Sequence, residues 1–178
     1  MSRRQVDQGR ASKSTDLERR LPELRGARFT DVPEMARLDR ICFEEHAYSA
    51  DLILRFLELD LPCVVAKREG GPMMGFAMVM PEPDERTCVL VTLDVLPEHR
   101  RRGLGTRMIS WCARSMLDSY PQTELMWLTV ASRNEGARAF YGRLGFREAD
   151  VIEGYYGDDD AVVMVHLGMK VLADGRGP

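Results

Sequence analysis

A cluster of three arginines precedes a glycine-rich turn near the middle of the chain. Arg100, Arg101 and Arg102 are followed directly by Gly-Leu-Gly-Thr at positions 103–106. Glycines let the main chain approach a bulky anion, and arginines donate charge-assisted hydrogen bonds to phosphate oxygens. Because helical periodicity begins at this turn, free N–H groups and the positive end of a helix dipole meet there as well. This combination suits a pyrophosphate.

Two well-known phosphate-binding turns do not match this segment. A nucleoside-triphosphate P-loop ends in Gly-Lys-Ser/Thr, whereas Gly105 is followed by Thr106 and Arg107. A dinucleotide-binding turn has a third glycine at the position that Met108 occupies. The residues alone leave two interpretations open, a solvated structural turn and a binding site for acetyl-CoA.

The charge of the rest of the chain strengthens the contrast with this cluster. Lys and Arg number 25 and Asp and Glu 28, giving a net charge of −3, with +3 on residues 1–25 and −6 on the remainder. A protein that binds nucleic acid usually carries a basic surplus, so we expect no nucleic-acid partner. A local cationic cluster on an acidic body indicates an anionic ligand.

Length and composition predict a single domain in the cytoplasm. A chain of 178 residues is long enough for one well-packed core. No apolar run approaches the ~20 residues of a membrane span, and the N-terminus lacks the apolar region of a secretory signal, so no membrane partner is expected. The cysteines are 21, 25 and 24 residues apart, which predicts buried thiols and neither a disulfide framework nor a metal site. They are Cys42, Cys63, Cys88 and Cys112.

The pattern of apolar residues predicts the elements that position the turn. We expect a flexible tail over residues 1–24, one domain over 25–173 and a disordered tail over 174–178. The predicted order is β-α-α-β-β-β-α-β-α-β-β, an α/β (α+β) mixed sheet with helices on both faces. The predicted strands are 28–30, 63–67, 73–80, 87–95, 125–130, 146–153 and 161–172. Strand 87–95 is expected to present Val89, Val91, Leu93 and Val95 on one side.

Two segments resemble sequence motifs of one enzyme family. Residues 93–106 resemble motif A of the GNAT superfamily of N-acetyltransferases, whose core is Arg/Gln-x-x-Gly-x-Gly/Ala, with Arg100, Gly103 and Gly105 at the matching positions. Residues 128–146, which begin Leu-Thr-Val-Ala-Ser-Arg-Asn, resemble motif B. The resemblance covers about residues 27–170. It implies the GNAT fold, whose central mixed sheet is splayed at strand 4, and acetyl-CoA as co-substrate without a metal.

The resemblance also implies which residues bind acetyl-CoA. The pantetheine arm would lie in the gap beside the splayed strand, against the main chain of Leu93, Asp94 and Val95, with the Val95 N–H donating to the thioester carbonyl. Asn134 would contact the cofactor, cap the following helix, or do both. The segment predicted to bind the phosphates comprises Arg100, Arg101, Arg102, Gly103, Leu104, Gly105 and Thr106.

The catalytic residues are less completely specified than the cofactor site. Tyr141 matches the family tyrosine that acts as general acid near the sulfur, and a phenol with a pKa of about 10 keeps its proton at neutral pH. The alternative for Tyr141 is packing on the sheet. The family often has a Glu or His base where Thr129 stands, and threonine cannot serve. Glu44, Glu45 and His46 are therefore the remaining candidates for the base, with Glu44 and His46 also as candidate acceptor contacts; a water relay and a solvated helix end are the alternatives.

A later segment indicates the acceptor. Residues 155–164 are similar to the Tyr-Tyr…Asp-Ala…Met signature of ribosomal-protein alanine N-acetyltransferases and N-alpha-acetyltransferases, which implies that Tyr155 and Tyr156 line a peptide groove. An α-amino group has a pKa of about 8 against about 10.4 for lysine, so it loses its proton more easily. The sequence thus predicts an acetyl-CoA-dependent N-acetyltransferase, monomeric or homodimeric, acting on the α-amine of a protein or peptide. A small-molecule amine acetyltransferase and a catalytically weak acetyl-CoA sensor are the alternatives.

Overall fold

The computed structural model describes residues 21–175, which form a seven-stranded mixed sheet in the order β1-β2-β3-β4-β5-β7-β6. The strands are β1 Glu23–Gly26, β2 Cys63–Lys67, β3 Met73–Pro81, β4 Thr87–Val95, β5 Leu125–Ala131, β6 Arg147–Ile152 and β7 Ala161–Leu167. The helices are α1 Val32–Phe43, α2 Ala50–Glu58, α3 Leu104–Ser119, α4 Glu135–Arg143 and α5 Met169–Asp174. This is the mixed α/β architecture predicted from the sequence.

The sheet has one parallel pair, and that pair is short. Neighbouring strands run antiparallel except β4 and β5, which pair only over Thr87–Val89 and Leu125–Trp127. The remainder of β4 separates from β5. The predicted splay at strand 4 is therefore present, and it leaves a gap at the centre of the sheet.

Helices cover both faces of the sheet, as predicted. On one face α1 and α2 contribute Met35, Leu38 and Ile53, all fully buried, to the smaller of two apolar clusters. On the other face α3 and α5 contribute residues such as Met108 and Met169 to the larger cluster. Each cluster removes a large apolar area from water, which fixes the orientation of the elements around the gap.

A β-bulge interrupts β4, and it corrects the predicted alternation of this strand. Leu90 pairs with Val79 and Thr92 pairs with Met78, so Val91 is an extra residue between the two pairs. Val91 packs against the cluster of α1 and α2, whereas Leu93 and Val95 pack against that of α3. The prediction that Val91 faces the same way as Leu93 and Val95 is wrong because simple alternation does not continue through a bulge.

The first strand begins earlier than predicted. The expected strand at 28–30 is a 3-10 turn, Phe29–Asp31, and the true strand is β1, which pairs with β2. Asp31 accepts two hydrogen bonds from the Arg25 guanidinium, at 2.7 and 2.9 Å, and this pair fixes the turn to β1. Glu23 and Leu24, which the predicted division assigned to the tail, therefore belong to the sheet. Residues 1–20 lie outside the described residues.

The C-terminal boundary also differs. The strand predicted over 161–172 ends at Leu167, and a short helix follows from Met169, with Leu172 and Ala173 buried against α3. Gly168, with a φ of 150°, separates the two elements. Asp174 ends this helix and so does not belong to a disordered tail, while residues 176–178 lie outside the described part of the chain.

The cysteines are free thiols. Cys63, Cys88 and Cys112 are buried as predicted, and Cys42 is half-buried. Across residues 21–175, no group of side chains is arranged to hold a metal ion, and no helix is long and apolar enough to cross a membrane.

Candidate active site

The gap beside β4 presents main-chain groups that no neighbouring strand binds. The Leu96 N–H donates to the Met74 carbonyl of β3 at 3.0 Å. Because main-chain groups alternate sides along a strand, the N–H groups of Val95 and Leu93 point away from β3 and into the gap. The Asp94 carbonyl instead faces β3, where it abuts Gly75. The geometry therefore favours Leu93 and Val95 over Asp94 as main-chain contacts for a ligand in the gap.

The glycine-rich turn forms the lower end of this gap. Gly103 caps α3 in the left-handed conformation, with a φ of 75°, and the first N–H groups of α3 have no partner within the helix. A Cβ on Gly105 would lie 3.1 Å from Phe140 Cζ and 3.5 Å from Leu93 Cδ2, so glycine is what permits this close approach to β4 and α4. The first turn of α3 thus offers free N–H groups on one side and packs against β4 and α4 on the other. Such a helix N-terminus suits a pyrophosphate.

The three arginines divide into two kinds. The Arg100 Nε donates to the Val95 carbonyl at 2.9 Å, and its Nη2 lies 3.9 Å from Cys42 Sγ. Arg100, although exposed, therefore ties the loop between β4 and α3 back to the end of β4. Arg101 and Arg102 are exposed, and Arg101 has a φ of 61°, an uncommon conformation for a residue other than glycine. Arg101 and Arg102 are the pair available to an anion.

Asn134 is the N-cap of α4. Its Oδ1 accepts a hydrogen bond from the Ala137 N–H at 3.0 Å. The capping interpretation is thus confirmed, and it leaves the amide NH₂ of Asn134 as a donor for a ligand. Contact with a cofactor stays a prediction.

Tyr141 packs on the sheet, and its role as general acid stays a prediction. Its ring packs edge-on against Phe140 and Phe146, at centroid distances of 5.1 and 5.6 Å, as part of the core on the α3 face. Burial raises the pKa of the Tyr141 phenol above the ordinary value, and the nearby Asp94 raises it further. The phenol therefore holds its proton firmly at neutral pH, which is the state a general acid needs.

The opposite mouth of the gap is lined by tyrosines. Tyr156 Oη is hydrogen-bonded to Thr129 Oγ1 at 3.0 Å, so Thr129, although it cannot be a base, fixes Tyr156 over β5. The Tyr156 ring also contacts Tyr155 and His46 edge-on, at 4.9 and 5.6 Å between centroids. The structure thus brings together three of the residues predicted to bind the acceptor.

Glu44 and Glu45 lie on the exposed turn Glu44–His46 between α1 and α2. Glu44 has a φ of 49° and a ψ of −109°, a conformation that ordinarily suits glycine. Both carboxylates are near His46 in the chain, and their assignment as bases stays a prediction.

The sequence analysis missed the side chains of Tyr48 and Asp39 at this mouth, and it named Asp94 only for its main chain. Tyr48 Oη donates to the Val91 carbonyl at 3.4 Å and its N–H donates to Asp39 Oδ2. Asp39 and Asp94 are fully buried, and the Asp39 carboxyl raises the pKa of Asp94. Asp39 stands among the apolar residues on the inner side of α1, and a charged residue at such a position is the signal that could have revealed the pair.

The comparisons with known proteins find acetyltransferases. A model of the acetyltransferase (GNAT) family matches residues 30–146. An N-alpha-acetyltransferase of Saccharolobus solfataricus is 30% identical over 151 residues, 79% of this chain and 90% of that protein. The [Ribosomal protein bS18]-alanine N-acetyltransferase of Escherichia coli is 27% identical over 145 residues, 76% of this chain and 90% of that protein. The Salmonella typhimurium yncA protein, solved with its cofactor acetyl-CoA, superposes with a TM-score of 0.68 at 18% identity, covering 83% of this chain and 94% of that one.

Proposed function

Because the chain belongs to the acetyltransferase (GNAT) family, we propose that it transfers acetyl from acetyl-CoA to the α-amino group of a protein or peptide N-terminus. The observation that carries this proposal is the gap. Pairing between β4 and β5 stops at Val89, one end of the gap meets the turn at Gly103, and the other is lined by Tyr155 and Tyr156.

The residues of the gap fit acetyl-CoA. Arg101, Arg102 and the N–H groups at the start of α3 would hold the phosphates, and the main chain of Leu93 and Val95 would hold the pantetheine arm. When bound, acetyl-CoA supplies a thioester carbon that an amine can attack. Positioning of the two reactants can lower the barrier by roughly 7–11 kcal/mol when the geometry is right.

Two groups of this chain would then assist the chemistry. The Val95 N–H points into the gap and would donate to the oxygen on which negative charge develops. The Tyr141 hydroxyl, whose pKa is raised by burial, would hold a proton for the leaving sulfur. The two groups come from β4 and from α4, on different sides of the gap, as a transfer between two bound reactants requires.

The α-amine is the acceptor we favour. Position 129 is a threonine hydrogen-bonded to Tyr156, so the usual place for a base is used to hold the peptide groove. An α-amine with a pKa of about 8 is partly neutral at physiological pH, whereas a lysine with a pKa of about 10.4 is almost entirely protonated. Two relatives at 27–30% identity carry names of enzymes that act on such amines.

The test measures thiol release from acetyl-CoA by the full chain with three matched acceptors. These are a lysine-free peptide with a free N-terminus, the same peptide with a blocked N-terminus and one added lysine, and a polyamine. We expect release with the first alone, and acetylation at its α-nitrogen by mass spectrometry. Faster turnover of the lysine peptide or the polyamine would overturn the acceptor, and tight acetyl-CoA binding without turnover would indicate a sensor.

A further inference from the structure

Two carboxyl groups lie close together beneath the acceptor mouth. Asp39 of α1 and Asp94 of β4 are both 0% exposed, and the Asp39 carboxyl is close enough to raise the pKa of Asp94. Cys42, one turn after Asp39, lies 3.6 Å from the Val95 carbonyl, so this face of α1 packs on the end of β4. The Oδ1 atoms of Asp39 and Asp94 have no hydrogen-bond partner among the described residues. Two neighbouring buried carboxylates repel each other, and a proton held between them removes that repulsion. A shared proton would also give both Oδ1 atoms a hydrogen-bond partner.

The remaining oxygens of the pair connect two parts of the site. Asp39 Oδ2 accepts the main-chain N–H of Tyr48, in the segment between α1 and α2. Asp94 Oδ2 accepts a hydrogen bond from Thr92 Oγ1 at 2.7 Å, which fixes the carboxyl on β4. The Tyr48 hydroxyl donates a hydrogen bond to the carbonyl of Val91, the residue at the bulge. The carboxyl pair is thus the central link between the acceptor segment and the splayed strand.

Other titratable groups around the pair are few and are neutral at physiological pH. Cys42 of α1 lies beside Asp94 of β4, and burial raises the pKa of the Cys42 thiol to about 11. Tyr48 faces the pair from the α1–α2 segment and Tyr141 faces it from α4, and Tyr156 of the β6–β7 connection lies close to both tyrosines.

Arg100 carries a permanent positive charge on the far side of Cys42 from the pair. Its Nε donates to the Val95 carbonyl and its Nη2 lies 3.9 Å from Cys42 Sγ. Burial and the neighbouring carboxyl raise the pKa of Asp94 well above the ordinary value, and burial likewise raises the pKa of Asp39.

We propose that Asp39 and Asp94 share one proton and thereby position the segment carrying His46 and Tyr48 for binding of the acceptor. The inference rests on the proposed function, and it makes the two aspartates positioning residues rather than catalytic ones. When pH rises and the proton leaves, the carboxylates repel and the segment separates from β4. Acceptor binding then weakens, while the phosphate-binding turn at the start of α3 is unchanged.

The test uses Asp94→Asn, whose amide NH₂ can donate to Asp39 Oδ1 at every pH. KM for the lysine-free peptide and KM for acetyl-CoA are measured for both proteins from pH 6.5 to about 9.5, which lies above the range in which an ordinary aspartate titrates. The ratio of wild-type to variant KM cancels the titration of the peptide amine itself. We expect this ratio to rise about fivefold for the peptide across the range, the equivalent of one net hydrogen bond, and to stay constant for acetyl-CoA. Parallel pH profiles in the two proteins would overturn the proposal.

A second measurement does not depend on turnover. In protein labelled with ¹³C at the aspartate carboxyl carbons, we expect one coupled pair of signals that titrates above the ordinary aspartate range and is lost in Asp39→Asn and in Asp94→Asn. Exchange of the Tyr48 amide hydrogen should accelerate through the same titration in the wild type only. If both occur and no peptide is acetylated, the link stands and the proposed function fails. Absence of the coupled titration overturns the link whatever the activity.

Discussion

Gly75 is the residue at which a single added methyl group should impair both the stability of the fold and catalysis. It lies in β3 opposite Val95, and a Cβ added there would be 2.4 Å from the Asp94 carbonyl oxygen and 3.1 Å from Met108 Cε. Contact with a carbonyl at ordinary van der Waals distance starts at 3.4 Å, so Gly75→Ala requires β4 to shift by about 1 Å. The obstructing atom belongs to the main chain and has no rotamer by which to retreat.

The shift would act on the strand that carries the proposed oxyanion donor. Overpacking of a core commonly costs 1–3 kcal/mol, and we expect about 3 kcal/mol here because the main chain must move. For a domain of this length that lowers Tm by about 6–12 °C. Misplacement of reacting groups by about 1 Å can cost ~100-fold in rate, so kcat/KM should fall about 100-fold at a temperature well below Tm.

Gly26→Ala is the matched control, since Gly26 also lies in a strand but a Cβ there would meet nothing within 4 Å. Thermal denaturation gives the stability of each variant, and thiol release at saturating acetyl-CoA gives kcat. We expect the control to keep wild-type kcat and a Tm equal to or slightly above that of the wild type. Wild-type kcat in a folded Gly75→Ala protein would refute the assignment of the Val95 N–H.

Three further outcomes follow from the described contacts. Tyr141→Phe keeps the ring contacts with Phe140 and Phe146 but removes the proposed acid, so kcat should fall about 100-fold with unchanged Tm and unchanged affinity for CoA by calorimetry; an unchanged kcat would contradict the role. Tyr156→Phe and Thr129→Val each break one hydrogen bond, so each should raise the acceptor KM about fivefold, and the double variant should be no worse than either alone; additive losses would show that the two hydroxyls act separately. Arg25 lowers the pKa of Asp31, so this pair stabilises the fold fully above the pKa of the unfolded aspartate, about 4, and the benefit is lost as pH falls through the lower pKa of the folded state. Asp31→Asn should therefore reduce the free energy of unfolding by about 1–3 kcal/mol at pH 7 and by progressively less as pH falls through that lower pKa, measured in urea; an equal loss at every pH would exclude the ion pair as the cause.

The elements near the site were predictable because their local patterns agree with their surroundings. β2 and β4 begin and end where the sequence indicates, since each is a β-branched, apolar segment limited by turn residues. The turn at Gly103 could be identified because its chemistry depends on residue types at fixed spacing. Ser49 caps α2 through its hydroxyl, as its position before an apolar helical stripe suggests.

The ends of the chain were not predictable in the same way. Residues 28–30 have the composition of a strand, but the buried ion pair of Asp31 with Arg25 favours a turn there and places the strand earlier. β7 is followed by a helix because Leu172 and Ala173 find a buried place against α3, which is a tertiary contact. The local propensity of a segment carries no information about contacts with residues far away in the sequence.

The bulge at Val91 sets the side-chain directions at the end of β4, which the sequence pattern did not predict. Without the extra residue, Asp94 would continue the alternation of Cys88 and Leu90 and point into the apolar cluster beneath α3. A carboxyl group in those surroundings would have no partner and would destabilise the fold by several kcal/mol. The bulge turns Asp94 toward Asp39 and directs Leu93 and Val95 toward α3. One inserted residue thereby accounts for the position of Asp94 on the acceptor side and for the direction of Leu93 and Val95.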